Sequence, residues 1–170
     1  MAIGAQPQPL VQLLTALQAE DIRFMLAGMS AANLQGVLEG TIDVDIWIGL
    51  PARQYMRVIN LCNQLGATLR SANKVYLSDD TPVDFIYEIG GLSDFDQEYR
   101  RARWLPFHGI EVSVLPLERI CKSKRFVNRD KDKLHILLIQ KVLRLRKAAR
   151  RQERIAGQGR KRKRRTQGKG

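Results

Sequence analysis

Three aspartates of the sequence have a spacing that is typical of metal chemistry. Asp43 and Asp45 lie in the stretch 42–48, IDVDIWI, whose alternation of apolar and other side chains predicts a strand. Side chains two residues apart on a strand point to the same face, so the two carboxylates stand side by side, roughly 7 Å apart at the backbone. Carboxylates held this close repel each other unless a cation lies between them. Mg²⁺, which prefers oxygen ligands, is the cation that we expect there.

A third carboxylate, Asp84, lies between apolar residues in another predicted strand, 83–89. If this strand lies beside 42–48, the three carboxylates converge on a site for two metal ions. Such a site activates an attacking hydroxyl and neutralises phosphates during in-line displacement. The same residues also have a purely structural interpretation, because an Asp-x-Asp pair is often a solvated strand face and a single strand aspartate is commonly exposed.

A possible phosphate-binding turn precedes the aspartates, where a predicted strand ends at Gly28 and a predicted helix begins at Ser30. The N–H groups at a helix N-terminus attract anions, so a triphosphate is expected to lie there. An ordinary strand-to-helix turn has the same sequence features, and both interpretations are kept.

The elements that must position these residues alternate between helices and strands. Apolar residues at helical spacing predict helices, and short apolar or alternating runs predict strands. The predicted fold class is α/β (α+β), a small mixed sheet flanked by helices. Helices are expected at 8–20, 30–38, 51–65, 116–124 and 131–156, strands at 22–27, 42–48, 74–78, 83–89 and 111–115, and a surface helix or loop at 94–103.

The C-terminal end of the sequence carries the whole formal net charge of +12. Of 29 Lys and Arg residues, 13 lie in 144–169 together with one acid, whereas residues 1–143 hold equal numbers of acids and bases. We therefore divide the chain into a domain at 1–143 and a basic extension at 144–170. This extension is predicted to be helical at first and disordered from 157 to 170. Its charge density favours contact with the phosphate backbone of a nucleic acid, with a solubilising tail or a nuclear address as alternatives.

Composition excludes several classes of protein. Cys62 and Cys121 are the only cysteines, and His108 and His135 are the only histidines, which is too few for a disulfide scaffold or a zinc site. No run of about eighteen apolar residues is present, and no basic residue precedes the first apolar stretch. We therefore expect a cytoplasmic protein with reduced thiols and no membrane segment.

The stretch 26–48, LAGMSAANLQGVLEGTIDVDIWI, resembles the signature of minimal nucleotidyltransferases, the group that includes abortive-infection and toxin–antitoxin enzymes. Its members have a glycine-led turn, a short helix and then Thr-x-Asp-x-Asp on the next strand, and Asp84 matches their third acid. Downstream, Lys124, Arg129 and Asp132 match the family's pattern Ser-Lys…Arg-x-x-Asp. The matching positions of the signature are Gly28, Ala31, Ala32, Leu34, Gly36, Thr41, Asp43 and Asp45.

The resemblance implies a nucleotidyltransferase-like domain that moves a nucleoside monophosphate from an NTP to a hydroxyl, with Mg²⁺ as cofactor. Asp43, Asp45 and Asp84 would be both catalytic and metal-binding. The acceptor would be a tRNA end, a protein side chain or a small molecule such as an aminoglycoside, and the basic extension favours nucleic acid. A protein partner in a two-gene system is also implied. The residues implied in nucleotide binding are Gly28, Ser30, Thr41, Lys124 and Arg129.

Two positions depart from the family pattern. Met29 stands where the family usually has a second glycine or a serine, and Glu39 stands where an arginine is common. Met29 would crowd the phosphate-facing backbone, and Glu39 adds negative charge near a triphosphate, whereas Ser30 is placed to supply a hydroxyl one residue later. These departures support a second hypothesis, a protein that keeps the fold with weak or no activity and acts as a nucleic-acid-binding or toxin–antitoxin component.

Three further polar or aromatic residues have less specific interpretations. Asp132 is expected to pair with a nearby Lys or Arg rather than bind metal. His135 begins an apolar helical stretch and is expected to be a packed or partly exposed histidine. Trp47 shares a strand face with the two aspartates, where it either walls the site or covers the edge of the core.

Overall fold

The computed structural model describes the backbone of residues 8–167 and the side chains of residues 8–160. A short 3-10 turn at Ala52–Gln54 accompanies the main elements. The helices are α1 Pro9–Ala19, α2 Gly28–Leu34, α3 Met56–Gln64, α4 Phe95–Tyr99, α5 Leu117–Val127 and α6 Asp130–Gln167, and the strands are β1 Phe24–Ala27, β2 Val44–Ile48, β3 Thr68–Ser71, β4 Lys74–Tyr76, β5 Pro82–Ile86, β6 Arg103–Phe107 and β7 Ile110–Val114.

The seven described strands form one mixed sheet in the order β3-β4-β5-β2-β1-β7-β6. Two pairs are parallel, β2 with β5 and β1 with β7, and the other neighbours are antiparallel. In the β2–β5 pair Asp45 lies directly opposite Asp84. The predicted α+β fold with a small mixed sheet is therefore confirmed, and the strands that carry Asp45 and Asp84 are neighbours.

Buried apolar side chains anchor the central strands that carry the site. All four residues of β1, FMLA, are buried, and Ile46, Trp47 and Ile48 of β2 are at most 1% exposed. Burying one such side chain stabilises the fold by about 1.5–3 kcal/mol. A register slip of one residue would move Asp45 to the opposite face of the sheet, so this burial also fixes where Asp45 points. Trp47 packs edge to face on Phe95, with ring centroids 5.6 Å apart, and belongs to the core.

The edges of the sheet differ from the sequence prediction, which had no strand at β3 or β6. Every residue of β3 is exposed, and β6 contains Pro106, which is tolerated on an edge strand because its missing N–H breaks no ladder there. Periodicity predicts strands that bury one face, and these two bury little. It therefore could not detect them.

The predicted strand 42–48 is also shorter than expected, because β2 begins at Val44. Asp43 precedes the strand, and Ile42 is 80% exposed instead of joining the apolar face. Similarly, α2 covers Gly28–Leu34 rather than 30–38, and the predicted helix 51–65 is divided into the 3-10 turn and α3.

The C-terminal helix is the largest difference from the sequence prediction. α6 continues to Gln167, so residues 157–167, predicted to be disordered, are helical, while 168–170 lie outside the described residues. Arg, Lys and Gln are good helix formers, and a glycine costs only about 1 kcal/mol in a helix. Because the first half of α6 is already packed through Ile139, the extension needs no new nucleation. The proposed boundary between 143 and 144 falls inside this helix and stays a prediction.

Within residues 8–167, no helix combines the length and the hydropathy that a bilayer span requires.

Candidate active site

A cleft of about 500 Å³ opens where strands β2 and β5 meet helices α2, α5 and α6. The strand side of the cleft is acidic and the helix side is basic. Glu88 and Lys131 are members that the sequence analysis did not single out, although Glu88 lies four residues after Asp84 in the predicted strand and so shares its face. The acids are Asp43, Asp45, Asp84 and Glu88, and the basic residues are Lys124, Arg129, Lys131 and His135.

The acidic side is built around Asp45, which β2 places beside Asp84 of β5. Burial, and after it the neighbouring charges of Asp84 and Asp43, together raise the pKa of Asp45 to about 6. Carboxylates that repel in this way remain close only because the strand register holds them there. The cleft therefore carries negative charge that this side of the protein does not fully neutralise.

Gly28 makes room for the Asp45 carboxylate. It begins α2 with φ +59°, a conformation that favours glycine, and a Cβ there would lie 1.9 Å from Asp45 Oδ2. The carboxylate therefore packs directly on the backbone of the turn. Gly28 lines the cleft, where it makes room for Asp45, and its assignment to nucleotide binding stays a prediction.

Ser30 and Thr41, both predicted to bind nucleotide, have different positions. The Ser30 hydroxyl donates to the Ala27 carbonyl at 2.9 Å and accepts from the Asp45 N–H at 3.4 Å, so it joins α2 to β2. It is not among the residues that line the cleft. Thr41 does line the cleft, and its hydroxyl donates to the Asp43 carbonyl at 3.4 Å. Their assignment to nucleotide stays a prediction.

Lys74 is a site residue that sequence reasoning missed. Its ammonium lies 3.2 Å from Asp84 Oδ2 and 3.7 Å from Asp43 Oδ1. The hydrogen bond to Asp84 raises the pKa of Lys74, which therefore stays charged. A lysine at the start of a predicted strand gives no signal by itself, because only the antiparallel β4–β5 register places it opposite Asp84.

The basic side depends on Asp132, whose side chain is fully buried. Asp132 accepts from Lys124 Nζ at 3.1 Å and from Arg129 Nε at 2.8 Å, which confirms the local pairing expected for it. Burial alone would raise the pKa of Asp132, but the hydrogen bonds from Arg129 and Lys124 outweigh it and hold the pKa well below its usual range. Lys124 and Arg129 are thereby fixed on the wall of the cleft.

His135 lies behind Lys124 and also lines the cleft. Its Nδ1 is 3.0 Å from Lys124 Nζ, and because an ammonium can only donate, Nδ1 accepts and the ring proton lies on Nε2. Nε2 is 3.9 Å from Glu39 Oε1. Burial and the charge of Lys124 lower the pKa of His135, so the ring is neutral at pH 7. It is packed, as predicted, but it is part of the cleft wall.

The acidic side offers the donor atoms that a divalent cation prefers, but not a complete arrangement of ligands. Among residues 8–160, no three His, Cys, Asp or Glu side chains are arranged as a complete metal-binding group. The donors are nevertheless all carboxylate oxygens, which Mg²⁺ prefers, and the raised pKa of Asp45 marks uncompensated negative charge. Lys74 shows that a cation already lies against two of the three acids. The set fits Mg²⁺, and its role as a metal site stays a prediction.

Solved structures of nucleotidyltransferases have the same architecture. The solution structure of the antibiotic-resistance factor ANT(2″)-Ia has a TM-score of 0.55 and 17% identity, covering 88% of this chain and 94% of that chain. The crystal structure of ANT(2″)-Ia in complex with adenylyl-2″-tobramycin has a TM-score of 0.54 and 16% identity, with coverages of 85% and 96%. The lincomycin-bound lincosamide antibiotic adenylyltransferase LnuA has a TM-score of 0.54 and 13% identity, with coverages of 81% and 98%.

Comparison by sequence finds no further match for this chain. No protein-family model matches the chain, and no curated protein matches it. At identities below one fifth, the structural similarity establishes the fold alone, and the abortive-infection or toxin–antitoxin subtype implied by the signature stays a prediction. The order of the strands, the paired aspartates at the β2–β5 edge and these neighbours together show that the chain has the nucleotidyltransferase fold.

Proposed function

We propose that this protein transfers a nucleoside monophosphate from an NTP to a hydroxyl acceptor, with Mg²⁺ held by Asp43, Asp45 and Asp84. The observation that carries the proposal is the parallel register that puts Asp45 beside Asp84 in a cleft whose other wall is basic. Nucleotidyl transfer needs both walls, because carboxylates hold the metal while cations neutralise phosphate oxygens.

Each wall has a defined part in the proposed reaction. Mg²⁺, when bound, neutralises the phosphates and favours the attacking form of the acceptor hydroxyl. Asp45 and Asp84 would hold that charge on the neighbouring inner strands β2 and β5. Lys124 and Arg129, oriented by the buried Asp132, face the phosphate chain from the opposite wall and hold it in line with the acceptor.

The named activities of the structural neighbours support nucleotidyl transfer. LnuA is a lincosamide antibiotic adenylyltransferase, and ANT(2″)-Ia was crystallised with an adenylylated antibiotic. An antibiotic is therefore one acceptor to be tested for this chain.

The C-terminal helix favours a nucleic acid as the acceptor. Its first turns bring Lys131 and His135 to the cleft, and the same helix then carries 12 Lys and Arg residues between 144 and 167. Every described side chain from 147 to 160 is exposed. A rod of about 57 Å that begins at the active site and is basic along its far half suits the phosphate backbone of RNA or DNA.

Label transfer tests the reaction. We expect the purified chain to transfer label from one of α-labelled ATP, CTP, GTP or UTP to total RNA in the presence of Mg²⁺, and Asp84→Asn to reduce the rate at least about a hundredfold. Asp80→Asn, a change of the same type in the neighbouring turn, should leave the rate unchanged because Asn tolerates the left-handed φ of 64° there. Transfer to an aminoglycoside or a lincosamide but not to RNA would overturn the nucleic-acid acceptor. Nucleotide binding with no transfer to any acceptor would favour the inactive, binding-protein hypothesis.

A truncation after Ala156 tests the nucleic-acid partner separately. It removes seven basic residues, and if half of them contact phosphates, the slope of log affinity against log salt should fall by roughly two to three. The matched control replaces the basic residues of 160–165 by Gln, which keeps the helix and its length but loses the charge. Both chains should show the same reduced slope and an unchanged free energy of unfolding. An unchanged slope would show that the extension does not bind nucleic acid.

A further inference from the structure

The Lys74 ammonium lies between Asp43 and Asp84, two of the acids that are proposed to hold Mg²⁺. It is 3.2 Å from Asp84 Oδ2 and 3.7 Å from Asp43 Oδ1, so it bridges an acid of β5 and the acid that precedes β2. The main chain holds the Lys74 Cα opposite Asp84 in the β4–β5 register. The four-carbon side chain is the flexible part of this contact.

Exposure distinguishes this ion pair from the one across the cleft. The side chains of Lys74 and Asp84 are 30% and 27% exposed, and that of Asp43 is 53% exposed. In the pair of Lys124 with Asp132 the exposures are 10% and 0%. Separating the second pair would leave two charges without water, whereas the Lys74 ammonium can move into solvent while its carboxylates take another cation.

We propose that Lys74 is an exchangeable counter-ion: its ammonium holds the acidic side together in the metal-free protein and is displaced into solvent when Mg²⁺ binds. The proposal rests on the proposed function, since it assumes that Mg²⁺ binds to these acids. Lys74 is then a positioning residue that sets the affinity for Mg²⁺. It makes Mg²⁺ alone a weak ligand and lets Mg²⁺ that arrives with a nucleotide compete, because the phosphates add ligands on the basic wall.

The charge balance of the cleft supports this exchange. Without Lys74, the three aspartates and Glu88 would stand on one side with no cation among them. With both Lys74 and Mg²⁺ in place, a positive side chain would lie within about 4 Å of the metal ligands and repel the ion. The two cations therefore compete for these carboxylates.

Calorimetric titration of Mg²⁺ into the nucleotide-free protein tests the proposal. Lys74→Met removes the competing charge and should tighten Mg²⁺ binding about five- to tenfold, which corresponds to one unit charge at this distance in a well-solvated site. Lys74→Arg keeps the charge and should bind Mg²⁺ as weakly as the wild type or more weakly. Lys133→Met is the matched control, because this exposed lysine pairs with Asp130 instead, and its Mg²⁺ affinity should change less than about twofold.

Thermal melting gives a second measurement, which distinguishes the exchange from an ion pair that only stabilises the fold. Without Mg²⁺, Lys74→Met should melt below the wild type, and saturating Mg²⁺ should raise its melting temperature more than that of the wild type. An unchanged or weaker affinity for Mg²⁺ in Lys74→Met, with wild-type binding intact, would overturn the exchange while leaving the proposed function standing. If neither the wild type nor Lys74→Met binds Mg²⁺, either alone or with a non-hydrolysable NTP, the proposed function is overturned as well.

Discussion

Asp45 and Asp132 stand on opposite sides of the cleft, and the protein surrounds them in opposite ways. Asp132 is fully buried, yet its pKa is held below the usual range because Lys124 and Arg129 donate to it. Asp45 is only partly buried, yet its pKa is raised to about 6 because burial and two other carboxylates act together. Burial acts to raise the pKa of both carboxylates, and only the cations that donate to Asp132 reverse the direction of its shift.

Asp132 is therefore a structural acid, whereas the charge of Asp45 is available to a ligand. Asp132 stabilises the fold and orients two cations, so its charge is used within the chain. Asp45 destabilises the fold at neutral pH and has no strong partner among the described side chains, so its charge is available to a cation that binds from outside. The next three predictions test this comparison, beginning with the largest effect.

Removing the charge of Asp132 should have the largest effect on stability. Asp132→Asn leaves the Lys124 ammonium, 10% exposed, without its carboxylate, and breaking such a pair typically costs about 3 to 4 kcal/mol. Urea denaturation at pH 7 measures the loss. Asp130→Asn is the control, since Asp130 is 99% exposed in its ion pair with Lys133 and should change stability by about 0.5 kcal/mol or less. A loss below about 1 kcal/mol for Asp132→Asn would remove the contrast between the two acids.

The free energy of unfolding should change with pH in opposite directions for Asp45 and for Asp132. Between about pH 6 and pH 4 the folded protein binds the Asp45 proton before the unfolded chain does, because the pKa is about 6 in the fold and 3.8 without it. The free energy of unfolding should therefore rise as the pH falls through this window, by at most about 3 kcal/mol. Asp45→Asn should abolish that rise and be as stable as, or more stable than, the wild type at pH 7.

The lowered pKa of Asp132 acts at lower pH with the opposite sign. Below about pH 4 the unfolded chain binds the Asp132 proton first, so the stability that this residue contributes is lost as the pH falls further. Denaturation at a series of pH values measures both slopes. A wild-type curve that shows no maximum between the two windows, or an Asp45→Asn curve identical to it, would contradict the assignment.

A substitution at Gly28 should have a smaller effect on stability and a specific effect on the site. Gly28→Ala combines a φ of +59° with a Cβ 1.9 Å from Asp45 Oδ2, so the carboxylate must move. We expect a loss of about 1 to 2 kcal/mol and weaker Mg²⁺ binding. Gly36→Ala is the matched control, because Gly36 has φ +98° but nothing within 4 Å of the added Cβ. It should lose stability through the backbone alone and keep its affinity for Mg²⁺.

Much of the fold and part of the site could be predicted from local sequence. The apolar runs around Asp45 and around Asp84 are local patterns, and they predicted the strands β2 and β5 that carry these two acids, whereas Asp43 lies just before β2. The central strands were predicted for the same reason, since each buries apolar side chains. The edge strands β3 and β6 were missed because an exposed strand leaves no such pattern.

Other features of the site depend on contacts between distant parts of the chain. The Ser30 hydroxyl accepts from the N–H of Asp45, fifteen residues later in the chain, because α2 lies against β2. The helix α6 was predicted to end early, because composition alone does not show that its first half is packed on the domain.

The sequence by itself determined that Asp45 and Asp84 lie on strands, that the fold is a mixed α+β sheet, and that the positive charge is concentrated at the C-terminal end. Only the tertiary structure decided how each acid is neutralised. Lys74 reaches Asp84 through the β4–β5 register, and Asp132 meets Lys124 across the α5–α6 corner. The physical reason is that a carboxylate's charge state depends on groups within a few ångströms, and those groups are brought there by strand register and helix packing.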